Sequence, residues 1–258
     1  MVSLAPATLT LSVIVITKNA QETLERCLAS VAWADEIVVL DSGSGDATVE
    51  IARRFTDKVE VSPDWPGFGP QKNRALARAT GDWVLSLDAD EWVPEDLRQE
   101  IERALQAPGD RVAFRIPRLS SFCGRYMRHS GWWPDYVTRL FKRGSARFSE
   151  DLVHERLLCD GPVGTLKQPL RHEAIQNLEE MLEKMNAYST AGALMAHQRG
   201  RRAGLATAVG HGLWTFIRTY FLRAGFLDGK EGFMLAVCNA EGAYYRYVKL
   251  MLRTDKPR

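Results

Sequence analysis

Apolar residues gather in short blocks along the first hundred positions, with polar clusters between them. Residues 9–16 are rich in β-branched side chains and bounded by polar ones, the pattern of a strand buried on both faces of a parallel sheet. Leu24, Cys27, Leu28 and Val31 then recur at helical spacing and lay one apolar stripe along a helix. Residues 36–40 predict a second strand, which runs into the turn formers Asp41-Ser42-Gly43-Ser44-Gly45-Asp46, and 47–55 predict a short helix. A third strand follows at 58–61, a loop at 63–70 and a helix at 71–79. The fourth strand, 83–87, passes straight into Asp88-Ala89-Asp90-Glu91 ahead of a helix that opens near Pro94. Strand and helix thus alternate four times in the first 105 residues, which predicts an α/β fold with an open, mostly parallel sheet flanked by helices.

The pattern changes after residue 110. Short extended pieces at 112–116 and 137–141 lie between Gly- and Pro-rich loops, so the sheet is expected to turn mixed. Beyond His172 the chain reads as a helical C-terminal annex, because 178–197, 203–227 and 230–252 all lack proline and carry apolar residues near the 3.6 period. The boundaries drawn are therefore 1–110, 111–175 and 176–258.

Composition adds little to this picture. A chain of 258 residues, 45% hydrophobic and 26% charged, buries a substantial core and is neither disordered nor membrane-spanning. The four cysteines lie far apart with no C-x-x-C pair, which excludes a zinc knuckle or redox motif and fits a reducing compartment. The N-terminus shows no basic segment before an apolar one, so a cytoplasmic location without export is expected.

Charge distribution says more than the net value of +2. Residues 199–258 hold eleven Lys and Arg against four Asp and Glu, a local excess of +7 that leaves −5 for the remainder. Leu213, Phe216, Ile217, Tyr220 and Phe221 form an apolar stripe, with Arg218 and Arg223 off it and Arg199, Arg201 and Arg202 upstream. No uncharged apolar run reaches spanning length. Two readings stay open: this helix rests on an anionic leaflet at the inner face of the cytoplasmic membrane, or it packs on its own domain. Nucleic acid is not an expected partner.

In open α/β sheets ligands sit beyond the carboxyl ends of the strands. Here those ends are Thr17-Lys18-Asn19, Asp41 and Asp88-Ala89-Asp90, three polar strand ends facing one crevice. Two carboxylates one residue apart suit a hard divalent ion, Mg²⁺ or Mn²⁺, that keeps phosphate and water in its other positions. An isolated Asp-Ala-Asp is more often a solvated turn and helix entry than a site. Its place at the end of a buried strand, after two other polar strand ends, favours a site.

These residues resemble the family-two inverting glycosyltransferases of GT-A fold. The resemblance rests on residues 13–19, on 36–48 with Asp41-Ser42-Gly43-Ser44-Gly45-Asp46, on Lys72-Asn73-Arg74-Ala75, and on 81–91 with its DXD motif Asp88-Ala89-Asp90. It implies a nucleotide-sugar donor, with Thr17, Asn19 and Asp41 holding the nucleoside and Asp41 accepting from uracil. It also places Lys72 near the donor, Asp88 at the ribose or a metal-bound water, and Asp90 on the metal that bridges the phosphates. Ala20 departs from the pattern, since relatives tend to carry an acidic residue there.

Gly131-Trp132-Trp133-Pro134, Thr138-Arg139-Leu140-Phe141-Lys142-Arg143 and Leu152-Val153-His154-Glu155-Arg156-Leu157 resemble bacterial lipopolysaccharide core glucosyltransferases. The implied reaction moves glucose from UDP-glucose to a lipopolysaccharide core or related surface-glycan acceptor. On that reading 1–110 is the donor-binding half, 111–175 the acceptor-binding and catalytic half, and 176–258 the annex. Inversion requires a carboxylate to take the proton of the attacking hydroxyl; Glu155 is the first candidate and Asp151 the second. His154 and His172 either serve the site or make structural hydrogen bonds. Arg139 holds a phosphate or an ordinary salt bridge, and Trp132 and Trp133 stack on sugar or fill a core. Two rivals are a sugar nucleotidyltransferase, which would want a Gly-rich basic loop where Thr17-Lys18-Asn19-Ala20 stands, and a non-catalytic sugar-binding relative.

Overall fold

A computed structural model describes residues 9–150 and 155–254. Asp151 and His154, with residues 1–8 of the N-terminal stretch read as leaderless, lie outside the described residues. The chain divides into two compact units, one of residues 1–118 and 135–172, the other of 119–134 and 173–258.

The first unit begins with β1 (Leu11–Thr17), α1 (Leu24–Ala29), β2 (Glu36–Asp41), α2 (Thr48–Arg53), β3 (Val59–Val61), α3 (Phe68–Leu76) and β4 (Trp83–Asp88). Strands β3, β2, β1 and β4 lie side by side in that order and all parallel, as the alternation of strands and helices predicts. Almost every residue of β1 is buried because helices cover both faces of the sheet. After β5 (Glu91–Trp92), the helix α4 (Glu95–Gln106) turns Leu97, Ile101 and Leu105 into the core and carries Glu95 and Asp96 in its first turn, where the helix dipole favours acids. The sheet then becomes mixed: β8 (Asp135–Lys142) pairs antiparallel with both β4 and β6 (Ala113–Phe122). The short β9 (Ala146–Phe148) and β10 (Leu157–Cys159) form a separate hairpin-like pair, and β11 (Val163–Thr165) adds to β6. β12 (Leu170–Ile175) pairs with β5 through Arg171 and His172. This is the open, mostly parallel sheet flanked by helices, turning mixed after β4, that the sequence predicts.

α3 starts at Phe68, inside the stretch expected to be loop, because Gly67 at φ +110° turns the chain there. Gly69 is needed for a different reason: a Cβ on it would lie 1.8 Å from the Ser149 carbonyl oxygen, so only glycine lets α3 approach that segment.

In the second unit, β7 (Arg125–Tyr126) pairs with the end of β6, and Phe122, Met127, Ile175, Met181, Leu235 and Cys238 form the core. Trp132 meets Phe122 edge-on at 6.2 Å, so of its two readings the structure displays packing. Helices α5 (Leu178–Gln198), α6 (Leu205–Ile217) and α7 (Gly229–Thr254) make up the annex. Asn177 caps α5 by accepting from the Glu180 N–H at 2.8 Å, and Glu180 reaches back to the Gln176 N–H. The single helix expected over 203–227 is broken. A π turn (Arg218–Leu222) follows α6, Ala224 adopts φ +52°, and a 3-10 turn (Gly225–Asp228) leads into α7. Two contacts enforce the break. Asp228 is buried and accepts from the backbone N–H groups of Arg128 (3.1 Å) and His129 (2.9 Å), while a Cβ on Gly225 would meet the Thr219 carbonyl at 2.7 Å.

Glu36 fastens the parallel strands at their amino ends. Its carboxylate accepts from the Ser12 hydroxyl, from Lys58, and from Thr80 through both N–H (2.8 Å) and hydroxyl (2.9 Å). Burial pushes the Glu36 carboxyl up, but these donors outweigh it and hold the group at about 2, below its usual 4.5. A carboxyl depressed on folding stabilises above its unfolded value and loses that contribution as pH falls through the folded one. Glu36→Gln should therefore cost about 1–3 kcal/mol at neutral pH and flatten the decline of stability between about pH 4.5 and 2. Urea unfolding at stepped pH measures both effects.

Candidate active site

Every polar strand end of the first unit contributes to one region. At the end of β1 the Thr17 hydroxyl donates to Asp41 Oδ2 at 3.0 Å, which locks two neighbouring strands together. Asp41 is fully buried; its Oδ1 accepts the N–H groups of Gly43 (2.9 Å) and Ser44 (2.8 Å), and Oδ2 also takes the Ser44 hydroxyl (2.5 Å). Four donors thus shape the loop after β2. Asn19, at φ +50°, clasps the same loop by donating its N–H to Ser44 Oγ (2.8 Å) and accepting the Gly45 N–H (2.9 Å). Asp46 accepts the Thr48 N–H at 3.0 Å and so serves α2, the structural role expected of it.

At the end of β4 a row of alternating charges begins. Lys72, on α3, is buried, and its Nζ stands 2.9 Å from Asp88 Oδ1 and 2.9 Å from Glu155 Oε1. The other oxygen of Asp88 is gripped by Arg139 of β8, whose guanidinium also lies 2.6 Å from Glu91 Oε1. Arg118 of β6 then joins Glu91 (3.4 Å) to Asp135 (2.7 Å). Four carboxylates and three cations form one chain from Glu155 to Asp135. Burial acts to raise the Asp88 carboxyl, yet Arg139 and Lys72 prevail and hold it far below the ordinary carboxylate range. Burial likewise opposes the charge on Arg139, and Asp88 and Glu91 overcome it, so that guanidinium is bound more tightly to its proton than usual. Beneath the row lies Cys27, whose thiol meets the Asp88 carbonyl at 3.6 Å.

Asp90 stands apart from the two cations that hold Asp88. Its carboxylate is partly exposed and faces His172 Nε2 at 3.5 Å. Among the described residues no group of three or more His, Cys, Asp or Glu encloses a metal position. The donor set of one carboxylate and one imidazole nonetheless fits a divalent ion that draws its remaining ligands from phosphate and water. Asp88 and Asp90 are therefore brought to one place with different partners. The structure unites Lys72, Asp88 and Glu155 in direct contact and gathers Thr17, Asn19 and Asp41 around the β2 loop.

Two members of the region, Glu91 and Arg118, carry no signal of their own as a sequence. Glu91 is completely buried, and Arg118 and Arg139 pair with it. A charged residue inside the apolar run Val137-Thr138-Arg139-Leu140-Phe141 is the one available hint, because a strand interior demands a buried counterion. His172 reaches Asp90 only through the pairing of β12 with β5, which sets it opposite Glu91.

The profile of glycosyl transferase family 2 matches residues 12–170. The chain belongs to this family and is a glycosyltransferase. An uncharacterized glycosyltransferase of Rickettsia bellii is 30% identical over 258 residues, covering 93% of this chain and 85% of that protein. The lipopolysaccharide core biosynthesis glycosyltransferase LpsC of Rhizobium meliloti is 29% identical over 257 residues, covering 95% and 93%. Among solved structures, that of S. aureus TarS aligns with 93% of this chain at 16% identity and a TM-score of 0.49. The chain spans little more than half, 55%, of that protein.

Removing Arg139 should leave Glu91 buried and half-paired. Arg139→Met is expected to cost about 3–5 kcal/mol, the scale for breaking one side of a buried pair. Arg139→Lys should recover only part of it, because a compact, strongly hydrated ammonium costs more to bury than the guanidinium, whose Nη2 meets both carboxylates. Denaturant titration of the two variants against wild type gives the comparison.

Proposed function

We propose that the chain moves a hexose, glucose from UDP-glucose, with inversion of configuration onto a lipopolysaccharide core or related surface-glycan acceptor, in a divalent-metal-dependent reaction. The observation that carries this reading is the buried Lys72 ammonium, 2.9 Å from both Asp88 and Glu155, which joins a donor-side strand end to an acceptor-side carboxylate. The similarity to LpsC along nearly the whole chain supports the class of acceptor. Residues 1–110 then bind the donor, 111–175 bind the acceptor and carry the chemistry, and 176–258 form the annex.

On this reading Thr17, Asn19 and Asp41 receive the nucleoside, with a hydroxyl rotating off Asp41 as the uracil N–H arrives. Asp90, with His172 beside it, holds Mg²⁺ or Mn²⁺, and Asp88 meets the ribose or a metal-bound water. The ion supplies neutralising charge to the departing diphosphate. Glu155 takes the proton of the acceptor hydroxyl as its oxygen bonds to the anomeric carbon and the bond to the diphosphate breaks. Lys72 positions Glu155 and adds positive charge beside the donor. Asp151, four residues away in sequence, is the alternative base. The enzyme works at the inner face of the cytoplasmic membrane, where a lipid-linked acceptor is presented.

Binding and turnover separate the roles. UDP with Mn²⁺ should raise the melting temperature, because a ligand that binds only the folded state stabilises it, and chelator should remove most of the shift. Asp90→Asn should weaken Mn²⁺-dependent UDP binding and turnover together. Glu155→Gln should leave UDP binding nearly intact while transfer falls roughly 10²-fold or more. A larger thermal response to NAD than to UDP species would overturn the donor assignment. Normal transfer by both Glu155→Gln and Asp151→Asn would overturn the base.

A further inference from the structure

Helix α6 is built inside out. Its buried positions are the small residues Ala208 and Gly212, four apart on one face, and the next buried position is Thr219 in the π turn that follows. A Cβ on Gly212 would stand 3.3 Å from the Ala240 carbonyl, so this face lies close against α7. The large apolar side chains point the other way. Leu213 is 62% exposed, Trp214 54% and Leu222 66%, and Ile217, Phe221 and Phe226 are exposed with them. An amphipathic helix of a self-contained domain turns such residues inward. A run of large exposed side chains marks a contact surface instead.

Charge identifies the contact. Residues 199–227 contain five arginines and no aspartate or glutamate. Arg199, Arg201 and Arg202 precede α6, and Arg218 and Arg223 lie on and after the π turn; all are exposed. A second copy of this chain would set arginines against arginines across the shared face. A leaflet carrying anionic headgroups presents the complementary charge, with acyl chains for the apolar tips and an interface that suits tryptophan. No helix among the described residues is long and apolar enough to cross a membrane, so the contact lies along the surface.

We propose that the exposed face of α6 and the turns after it, from Leu205 to Leu227, inserts shallowly into an anionic lipid leaflet, with the flanking arginines on the headgroups. This assignment stands independently of donor, metal and base. It makes the second unit a monotopic membrane anchor.

The test is sedimentation of the full chain with phosphatidylcholine vesicles, with and without about 30% phosphatidylglycerol, at low salt and at about 0.5 M salt. Wild type should pellet with the anionic vesicles at low salt and bind neutral ones at least tenfold less. The doubly substituted Trp214→Ser, Leu222→Ser chain should lose at least tenfold in binding at either salt concentration, since the deleted contact is apolar. Arg202→Glu with Arg218→Glu should lose a similar factor at low salt. All of these residues are exposed, so the melting temperature and its rise with UDP and Mn²⁺ should match wild type. Equal pelleting with neutral and anionic vesicles would overturn the proposal, as would unchanged binding by both variants. A wild-type dimer that the Trp214→Ser, Leu222→Ser substitutions convert to monomer, with no vesicle binding, would reassign the face to self-association. Failure of the UDP response with vesicle binding intact would strike the donor reading alone.

Discussion

Glu91 is a carboxylate with no access to water, and the end of β4 is organised around keeping a charge in such a place. An isolated buried anion is unstable by many kcal/mol, so partners must converge on it from whichever strands pass nearby. Arg139 from β8 and Arg118 from β6 do so, and the Asp88 N–H donates to its second oxygen at 3.0 Å. Each partner is then itself a buried or half-buried charge in need of company. Arg139 takes Asp88, Asp88 takes Lys72, and Lys72 takes Glu155. The geometry of this charge row is thus inherited from an electrostatic requirement at the residue directly after the DXD pair. Rigidity follows, because no link can move without exposing the next one unpaired.

The same requirement explains how the two aspartates of one short motif acquire different characters. Asp88 spends its oxygens on cations of the protein, whereas Asp90 points away from them toward His172. β4 ends at Asp88 and residues 89–90 form a turn, so the strand alternation that would return Asp90 to the face of Asp88 is broken there.

The four parallel strands were legible because their signal is local: β-branched blocks, turn formers at their ends and helical stripes between them. Asp41, Asp88 and Asp90 were legible as strand ends for the same reason. Lys72 was legible only through the family resemblance and its burial not at all, since a lysine among polar neighbours on a short helix reads as a surface charge; that burial follows from α3 pressing on Ser149 through Gly69. Glu91 reads as the opening of a helix, and only the pairing of β5 with β12 reveals it as interior. The break after Ile217 escaped the helical periodicity because its cause, the buried Asp228 and the backbone it holds at 128–129, lies a hundred residues away in sequence. Apolar spacing also cannot say which side of α6 faces the protein; there the small residues decide, and they carry no hydrophobic weight.

Cys27 shows what the acidic row does to a neighbour that takes no part in it. Burial first, then the negative charges of Glu91, Asp90 and Asp88, push its thiol well above the ordinary range. A thiol that does not ionise is a poor target for peroxide, disulfide exchange or alkylation. The remaining cysteines, also free, are shifted in the same direction by burial. The region around the DXD motif is consequently shielded from oxidative control through its nearest sulfur, and a thiol reagent that does label Cys27 would report that the buried charge row has opened.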